Sequence, residues 1–168
     1  MSLHRLLYRS DAALAGSPDR SAQLLQAIVE NARISNKASG LTGALMLSSG
    51  VFLQALEGPL DALERTFERI CRDLRHRRVR LLEFGMADER VFGAWTMADV
   101  VPMRELARIG PVLATADATC VDSVLADGVI QSMRSMLLVG STPDRQRPEH
   151  SPGGSRSVLG GTRRAGMM

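Results

Sequence analysis

Two polar side chains lie at strand positions where the pattern favours apolar residues. In the segment GVFLQALEG, strand alternation places Gln54 on the same face as Phe52 and Leu56, and in LHRLLYRS it places Tyr8 on the face of Leu6. A buried amide or phenol must find hydrogen-bond partners. Tyrosine is oxidisable and carries a proton to release, and a glutamine amide both donates and accepts. The pattern fits a structural arrangement in which Tyr8 bonds Gln54 or a main-chain carbonyl, and it leaves a functional role open.

A second polar group follows the most clearly amphipathic helical segment. It consists of Asp73, Arg75 and His76, which come directly after this helix. Helix capping within a solvated run of arginines explains these residues as well as a binding role does. Asn36 follows the first helical segment, where a C-cap is the usual role of an asparagine. No phosphate-binding loop, zinc spacing or Ser-His-Asp order accompanies these residues, so neither a metal site nor a catalytic residue is predicted.

The elements that must position these residues follow the order β-α-β-β-α-β with one added strand. Strands are predicted over residues 3–10, 41–48, 50–58, 78–86 and 92–101, with a tight turn at Ser48-Ser49-Gly50. Helices are predicted from Ser17-Pro18 to about Ser35, and over the apolar stripe Leu60, Leu63, Phe67, Ile70 and Leu74. The order predicts an α+β, ferredoxin-like fold: an antiparallel sheet with two helices on one face.

The part of the chain after the sheet carries two more helical patterns, over residues 103–139. Their apolar residues are expected to cover the open face of the sheet: Val121, Leu125, Ile130, Met133 and Leu137. Within the predicted fifth strand, parity places Trp95 and Met97 on one face.

Composition indicates one globular domain, with 168 residues that are 45% hydrophobic and 23% charged. The net charge of +3 belongs to residues 141–168, which contain five arginines and only two acidic residues, Asp144 and Glu149. Because the charge lies in this segment and not on a folded surface, nucleic-acid binding is not implied. This Pro-, Gly-, Ser- and Arg-rich tail is predicted to be disordered. We expect a cytoplasmic protein, because the sequence shows no signal peptide or membrane span and its two cysteines form no disulfide framework.

Five segments resemble, in order and spacing, the BLUF domain family of blue-light sensors that use flavin. They are LLYRS, SNKASGLTGAL, GVFLQALEG, RICRDLRH and VFGAWTM, within about residues 2–101. The resemblance implies a photosensor domain over residues 1–101, a helical extension over 102–140 and the tail over 141–168. No effector domain is recognisable after the sensor, so the protein is expected to be no enzyme and to act through an unknown partner protein or its own assembly.

The resemblance also implies a cofactor and its ligands. FAD would be bound without a covalent link, with FMN and riboflavin left open, and its ring would lie between the two helices. Ile28 and Ile70 would flank the ring, and Asn36 would bond its C4 carbonyl and N3 side. The C2 carbonyl and ribityl side would be held by Asp73, Arg75 and His76.

The same resemblance assigns the photoactive switch. Tyr8 would give an electron and a proton to the excited flavin, and Gln54 would bridge Tyr8 to the N5 and C4 carbonyl edge. Ser10 would tune the surroundings of Tyr8. Trp95 and Met97 would relay the change outward along the fifth strand. Rotation and tautomerisation of the glutamine both remain open.

Two other functions share this plan. A flavin-free, ferredoxin-like dimerisation module would use Tyr8 and Gln54 structurally. An acylphosphatase-like hydrolase is disfavoured, because no glycine-rich loop follows the first strand to hold a phosphate. A homo-oligomer, a dimer or larger, is expected through the sheet face or the C-terminal helices. Met133, Met136 and Leu137 are its candidate apolar patch.

Overall fold

The computed structural model describes residues 2–14, 16–100 and 123–140. Within these ranges it forms five strands: β1 (His4–Ala12), β2 (Thr42–Ser48), β3 (Val51–Gly58), β4 (His76–Met86) and β5 (Ala98–Val100). It also forms three helices: α1 (Pro18–Ser39), α2 (Leu60–Cys71) and α3 (Ser123–Gly140). The predicted α+β class and the order β-α-β-β-α-β are confirmed. None of the described helices is both long and apolar enough to cross a membrane.

The five strands form one sheet in the order β4-β1-β3-β2-β5. The neighbours among β1 to β4 are antiparallel, as the ferredoxin-like plan requires. The added strand β5 pairs parallel with β2. The expectation of a wholly antiparallel sheet is therefore wrong at this edge, and the sheet is mixed.

Two apolar clusters cover the two faces of this sheet. On one face, α1 and α2 pack over strand residues that include Leu6, Tyr8 and Phe52. On the other face, α3 packs over residues that include Leu7 and Leu53. Strand alternation separates the two sets, because successive side chains point to opposite faces.

The helix α1 is longer than the sequence pattern indicates. Ser17 caps its start by accepting from the Arg20 N–H, and Gly40 ends it at a φ of 66°, where a side chain would be strained. The predicted end near Ser35 is wrong, so Asn36 lies inside the last turn and Gly40 is the cap. The helix α2 ends earlier than expected, at Cys71, and Leu74 is 89% exposed rather than part of the packed stripe.

The predicted turn between β2 and β3 is confirmed. Ser49 and Gly50 adopt φ values of 50° and 76°, and two successive left-handed residues make the tight hairpin turn that suits twisted antiparallel strands. This turn fixes the register of β3, and hence the face on which Gln54 lies.

The fifth strand is much shorter than predicted, with three residues instead of ten. Phe92, Trp95 and Met97 are buried, but they precede the strand in an irregular segment. Trp95 joins the cluster under α3, whereas Met97 joins the cluster under α1 and α2. The prediction that Trp95 and Met97 share one face of a strand is wrong, because strand parity does not apply to this segment.

The helix α3 covers the open face of the sheet as expected. Its buried side chains include the predicted Ile130, Met133 and Leu137, whereas Leu125 is 42% exposed. Because Met133 and Leu137 are buried against the sheet, they are not available as an exposed patch for assembly. Val121, the shorter helical pattern and the tail over 141–168 lie outside the described residues.

Candidate flavin site between α1 and α2

A cleft of about 290 Å³ opens between α1, α2 and the start of β4. It brings together seven of the residues predicted to bind the cofactor: Ile28, Asn36, Gln54, Ile70, Asp73, Arg75 and His76. Tyr8 lies behind Gln54 and is fully buried. Thus α1 and α2 supply the apolar walls, β3 supplies the amide at the base, and the turn after α2 supplies the charges.

Tyr8 and Gln54 form a buried hydrogen-bonded pair at the base of the cleft. They are directly opposite each other on the antiparallel strands β1 and β3, and the Tyr8 hydroxyl donates to Gln54 Oε1. Gln54 Nε2 in turn donates to Met97 Sδ at 3.5 Å. Burial, followed by the nearby Cys71 and Asp73, raises the pKa of Tyr8 well above its usual 10.0, so the phenol keeps its proton.

Ser10 is tied to His76 and not to the Tyr8 hydroxyl. Its Oγ lies 2.8 Å from His76 Nδ1, and the His76 ring lies 4.7 Å from the ring of Phe52. Burial lowers the pKa of His76, an effect that Asp73 opposes and Arg75 reinforces. The imidazole at this wall of the cleft is therefore neutral near pH 7, with its orientation fixed by the serine hydroxyl.

Asp73 and Arg75 form a local ion pair beside the cleft. Arg75 donates its backbone N–H and its Nε to Asp73 Oδ1, each at 2.9 Å. This hydrogen bonding is the main reason that the pKa of Asp73 is lowered and that of Arg75 raised. The pair is half-exposed. It therefore offers a fixed donor and a fixed acceptor to any part of a bound ligand that extends out of the cleft on this side.

Asn36 and Arg33 hold the segment before β5 against α1. Asn36 Nδ2 donates to Thr96 O at 2.7 Å, and Arg33 Nε donates to Met97 O at 2.9 Å. Asn36 is buried and also lines the cleft, so one side chain contacts both the ligand space and this segment. Arg33 was not identified from the sequence, because its partner lies 64 residues away in the chain.

The sequence also missed five residues that line the cleft: Asn31, Ala32, Ser35, Thr66 and Arg69. A helical spacing rule, applied from Ile28 and Ile70, would have found four of them. Asn31, Ala32 and Ser35 lie three, four and seven residues after Ile28, and Thr66 lies four before Ile70. Residues at these spacings share one face of a helix.

These residues suit a flat aromatic ring with one polar edge. The cleft has apolar side chains at Ile28 and Ile70, where the faces of such a ring would pack. The amides of Asn36 and Gln54 can donate and accept along its edge, and Arg75 stands beside the opening. The described residues contain no group of three or more His, Cys, Asp or Glu side chains that would hold a metal ion.

The fold and this cleft define a class of protein, a ligand-binding domain built on a ferredoxin-like sheet. A family model described as "BLUF: Sensors of blue-light using FAD" matches residues 3–98. That match covers more than half of the chain, and the chain belongs to the BLUF family of flavin-binding blue-light sensors.

Known proteins of this family share both sequence and structure with the chain. Photoactivated adenylate cyclase subunit alpha of Euglena gracilis is 30% identical over 150 residues, which are 88% of this chain and 14% of that protein. The chain therefore spans about a seventh of the length of this curated relative.

Two solved BLUF structures match over most of their length. The photo-activated state of BlsA matches with a TM-score of 0.67 and 25% identity, over 79% of this chain and 94% of that one. The dark state of BlrB, a BLUF protein, matches with a TM-score of 0.64 and 28% identity, over 80% and 96%. These structures and the family match agree that the chain has the fold of a BLUF domain.

Proposed function

We propose that the chain is a blue-light photoreceptor in which FAD occupies the cleft and the Tyr8–Gln54 pair is the switch. The observation that carries the proposal is the buried hydrogen bond from the Tyr8 hydroxyl to Gln54 Oε1, with the Gln54 amide lining the cleft. A merely structural pair has no need to open onto a cleft. In this pair Tyr8 is buried in the core, whereas Gln54 lines the cleft.

The chain's own residues would hold the ring by shape and by hydrogen bonds. Ile28 and Ile70 would pack on its two faces, and Asn36 and Gln54 would bond along its polar edge. Asp73, Arg75 and His76 would hold the side that continues into the ribityl chain. The family description supports FAD, with FMN and riboflavin as the alternatives. When bound, flavin supplies blue-light absorption and the capacity to take up an electron and a proton; the protein supplies orientation.

The switch would follow from the chemistry of Tyr8 and Gln54. Tyr8 is the buried group that can give up an electron and a proton, and its proton already points at Gln54 Oε1. Rotation or tautomerisation of the Gln54 amide would then change whether Gln54 donates or accepts, both toward the cleft and toward Met97. Only one or two hydrogen bonds change, so about 1–3 kcal/mol is available to move a neighbouring segment.

The signal would leave through the segment before β5. Met97 Sδ accepts from Gln54 Nε2, and its backbone oxygen is held by Arg33. Trp95 lies two residues away on the α3 side of the sheet, so this segment passes from the cleft to the opposite face. Ser10 would act on the cleft through His76.

We also propose the domain plan and the route of output. Residues 1–101 form the sensor, residues 102–140 the output extension and residues 141–168 a tail. Output would pass to an unknown partner protein or to a homo-oligomer, a dimer or larger. The outer face of α3 supports an assembly there, because Val124, Leu138 and Val139 are 73%, 64% and 76% exposed.

The assignment of the switch is tested by Gln54→Leu. Leucine has a similar volume but neither donates nor accepts, so the variant should keep bound flavin and lose the light-induced red shift of the flavin absorption. Gln26→Leu is the matched control, because the same chemical change falls on an exposed position of α1. A normal, reversible red shift in Gln54→Leu would show that the glutamine is not the switch.

A further inference from the structure

The buried carboxylate of Glu57 lies outside the cleft and has no part in the switch. It stands three residues after Gln54 on β3, and its side chain is fully buried. Alternation places it on the α3 face of the sheet, opposite to Gln54. A buried carboxylate is costly unless its oxygens are bonded, so its partners indicate what it holds.

The partners of Glu57 belong to the irregular segment before β5. Glu57 Oε1 accepts from the Val91 N–H at 2.9 Å, and Oε2 accepts from the Phe92 N–H at 3.0 Å. Arg90 adds a bond from its guanidinium to the Glu57 backbone oxygen at 2.8 Å. Charge-assisted bonds to two successive backbone amides fix the start of this segment to the end of β3.

The other end of the same segment contacts the switch. Met97 accepts from Gln54, and the side chains between the two ends, at Phe92 and Trp95, pack in the cluster under α3. The segment over residues 91–97 is thus fixed at one end, touches Gln54 at the other, and lies against α3 in between.

Arg5 extends this arrangement to α3. Its Nε donates to Glu57 Oε1 at 2.9 Å, and its Nη1 lies 3.6 Å from Asp127 Oδ1 on α3. Its Nη2 also donates to the backbone oxygen of Glu89. One guanidinium therefore joins the carboxylate that fixes the segment to the helix that packs over it.

We propose that Glu57 is a positioning residue for output: it anchors the 91–92 end of the segment so that a change at Met97 is transmitted to α3. Because the 91–92 end is held, the segment cannot slide as a whole, and a displacement at Met97 must move Trp95 against α3. Arg5 keeps α3 in register with the anchor through Asp127. This inference rests on the proposed function, since it needs a light-induced change at Gln54.

The test is hydrogen exchange of the full, flavin-loaded chain in the dark and under blue light, with the flavin spectrum recorded on the same samples. Glu57→Gln replaces one acceptor oxygen with an amide group that cannot accept from a backbone N–H. Arg5→Met removes the link to α3 together with the bonds from Arg5 to Glu57 and to Glu89. Asp127→Asn weakens the same link by removing its negative charge, and Asp61→Asn, which removes the negative charge from an exposed ion pair on α2, is its matched control.

In the unmodified chain and in Asp61→Asn, residues 123–140 should exchange differently in light and dark. Glu57→Gln and Arg5→Met should keep the red shift and lose that difference, and Asp127→Asn should reduce it. If Glu57→Gln does not fold, Arg5→Met and Asp127→Asn decide the matter.

Three results would overturn the proposal. The first is a wild-type light–dark difference in Arg5→Met, or in folded Glu57→Gln. The second is loss of the red shift in these variants, which would place their effect on the switch itself. The third is a red shift in the unmodified chain without any change in α3. An unmodified chain with no red shift would instead overturn the proposed function, and this inference with it.

Discussion

The hydrogen bond between Tyr8 and Gln54 can be measured as a coupling energy. Gln54→Leu leaves the buried Tyr8 hydroxyl without its acceptor, which costs about 1–3 kcal/mol of unfolding free energy. Tyr8→Phe leaves the Gln54 oxygen without its donor, at a cost in the same range. The double variant removes both partners together, so its loss should be smaller than the sum of the single losses by about 1–2 kcal/mol.

Urea unfolding of the four proteins, in the dark and at one saturating FAD concentration, gives this coupling directly. Residues that do not interact add within about 0.5 kcal/mol. A coupling energy inside that limit would refute the claim that the two side chains form a pair in the folded protein. Equal urea dependence in all four proteins is the control, because a changed slope would signal an altered unfolded state.

Three further predictions concern the rest of the chain. Met133→Ala should lower the unfolding free energy by about 2–5 kcal/mol because it empties a buried site, whereas Leu138→Ala, on the exposed side of α3, should stay within about 0.5 kcal/mol in the same urea measurement. Burial holds the pKa of His76 below its ordinary 6.5, so the unfolded state binds a proton more readily than the folded state. The unfolding free energy should therefore fall as the pH drops below 6.5. His76→Gln should make the unfolding free energy less dependent on pH between about pH 7 and pH 5. Light scattering should give more chains per particle for the full protein than for a chain ended at residue 101. If both proteins are monomers, the proposed assembly is contradicted.

The central part of the site could be predicted because its signals are local. Alternation alone placed Tyr8 on the face of Leu6 and Gln54 on the face of Phe52 and Leu56. The hairpin residues fixed the register of β3. The structure confirms that the two side chains meet. Helical spacing also predicts that Ile28 and Ile70 point inward, and both side chains line the cleft.

The segment before β5 could not be predicted, because its hydrogen bonds are not local. Its apolar residues correctly indicate burial, but a buried strand and a buried irregular segment have the same composition. What decides between them is where the backbone amides find acceptors. Here Val91 and Phe92 find them on Glu57, about 34 residues earlier in the chain, and no local pattern reveals that pairing.

The most direct test of the central claim is the absorption spectrum of the full chain, purified in the presence of FAD and recorded in the dark and after blue light. We predict a yellow protein whose flavin is released by denaturation, and whose absorption shifts reversibly to the red on illumination. A colourless protein that takes up no added FAD would contradict the account, as would a bound flavin whose spectrum is the same in light and dark.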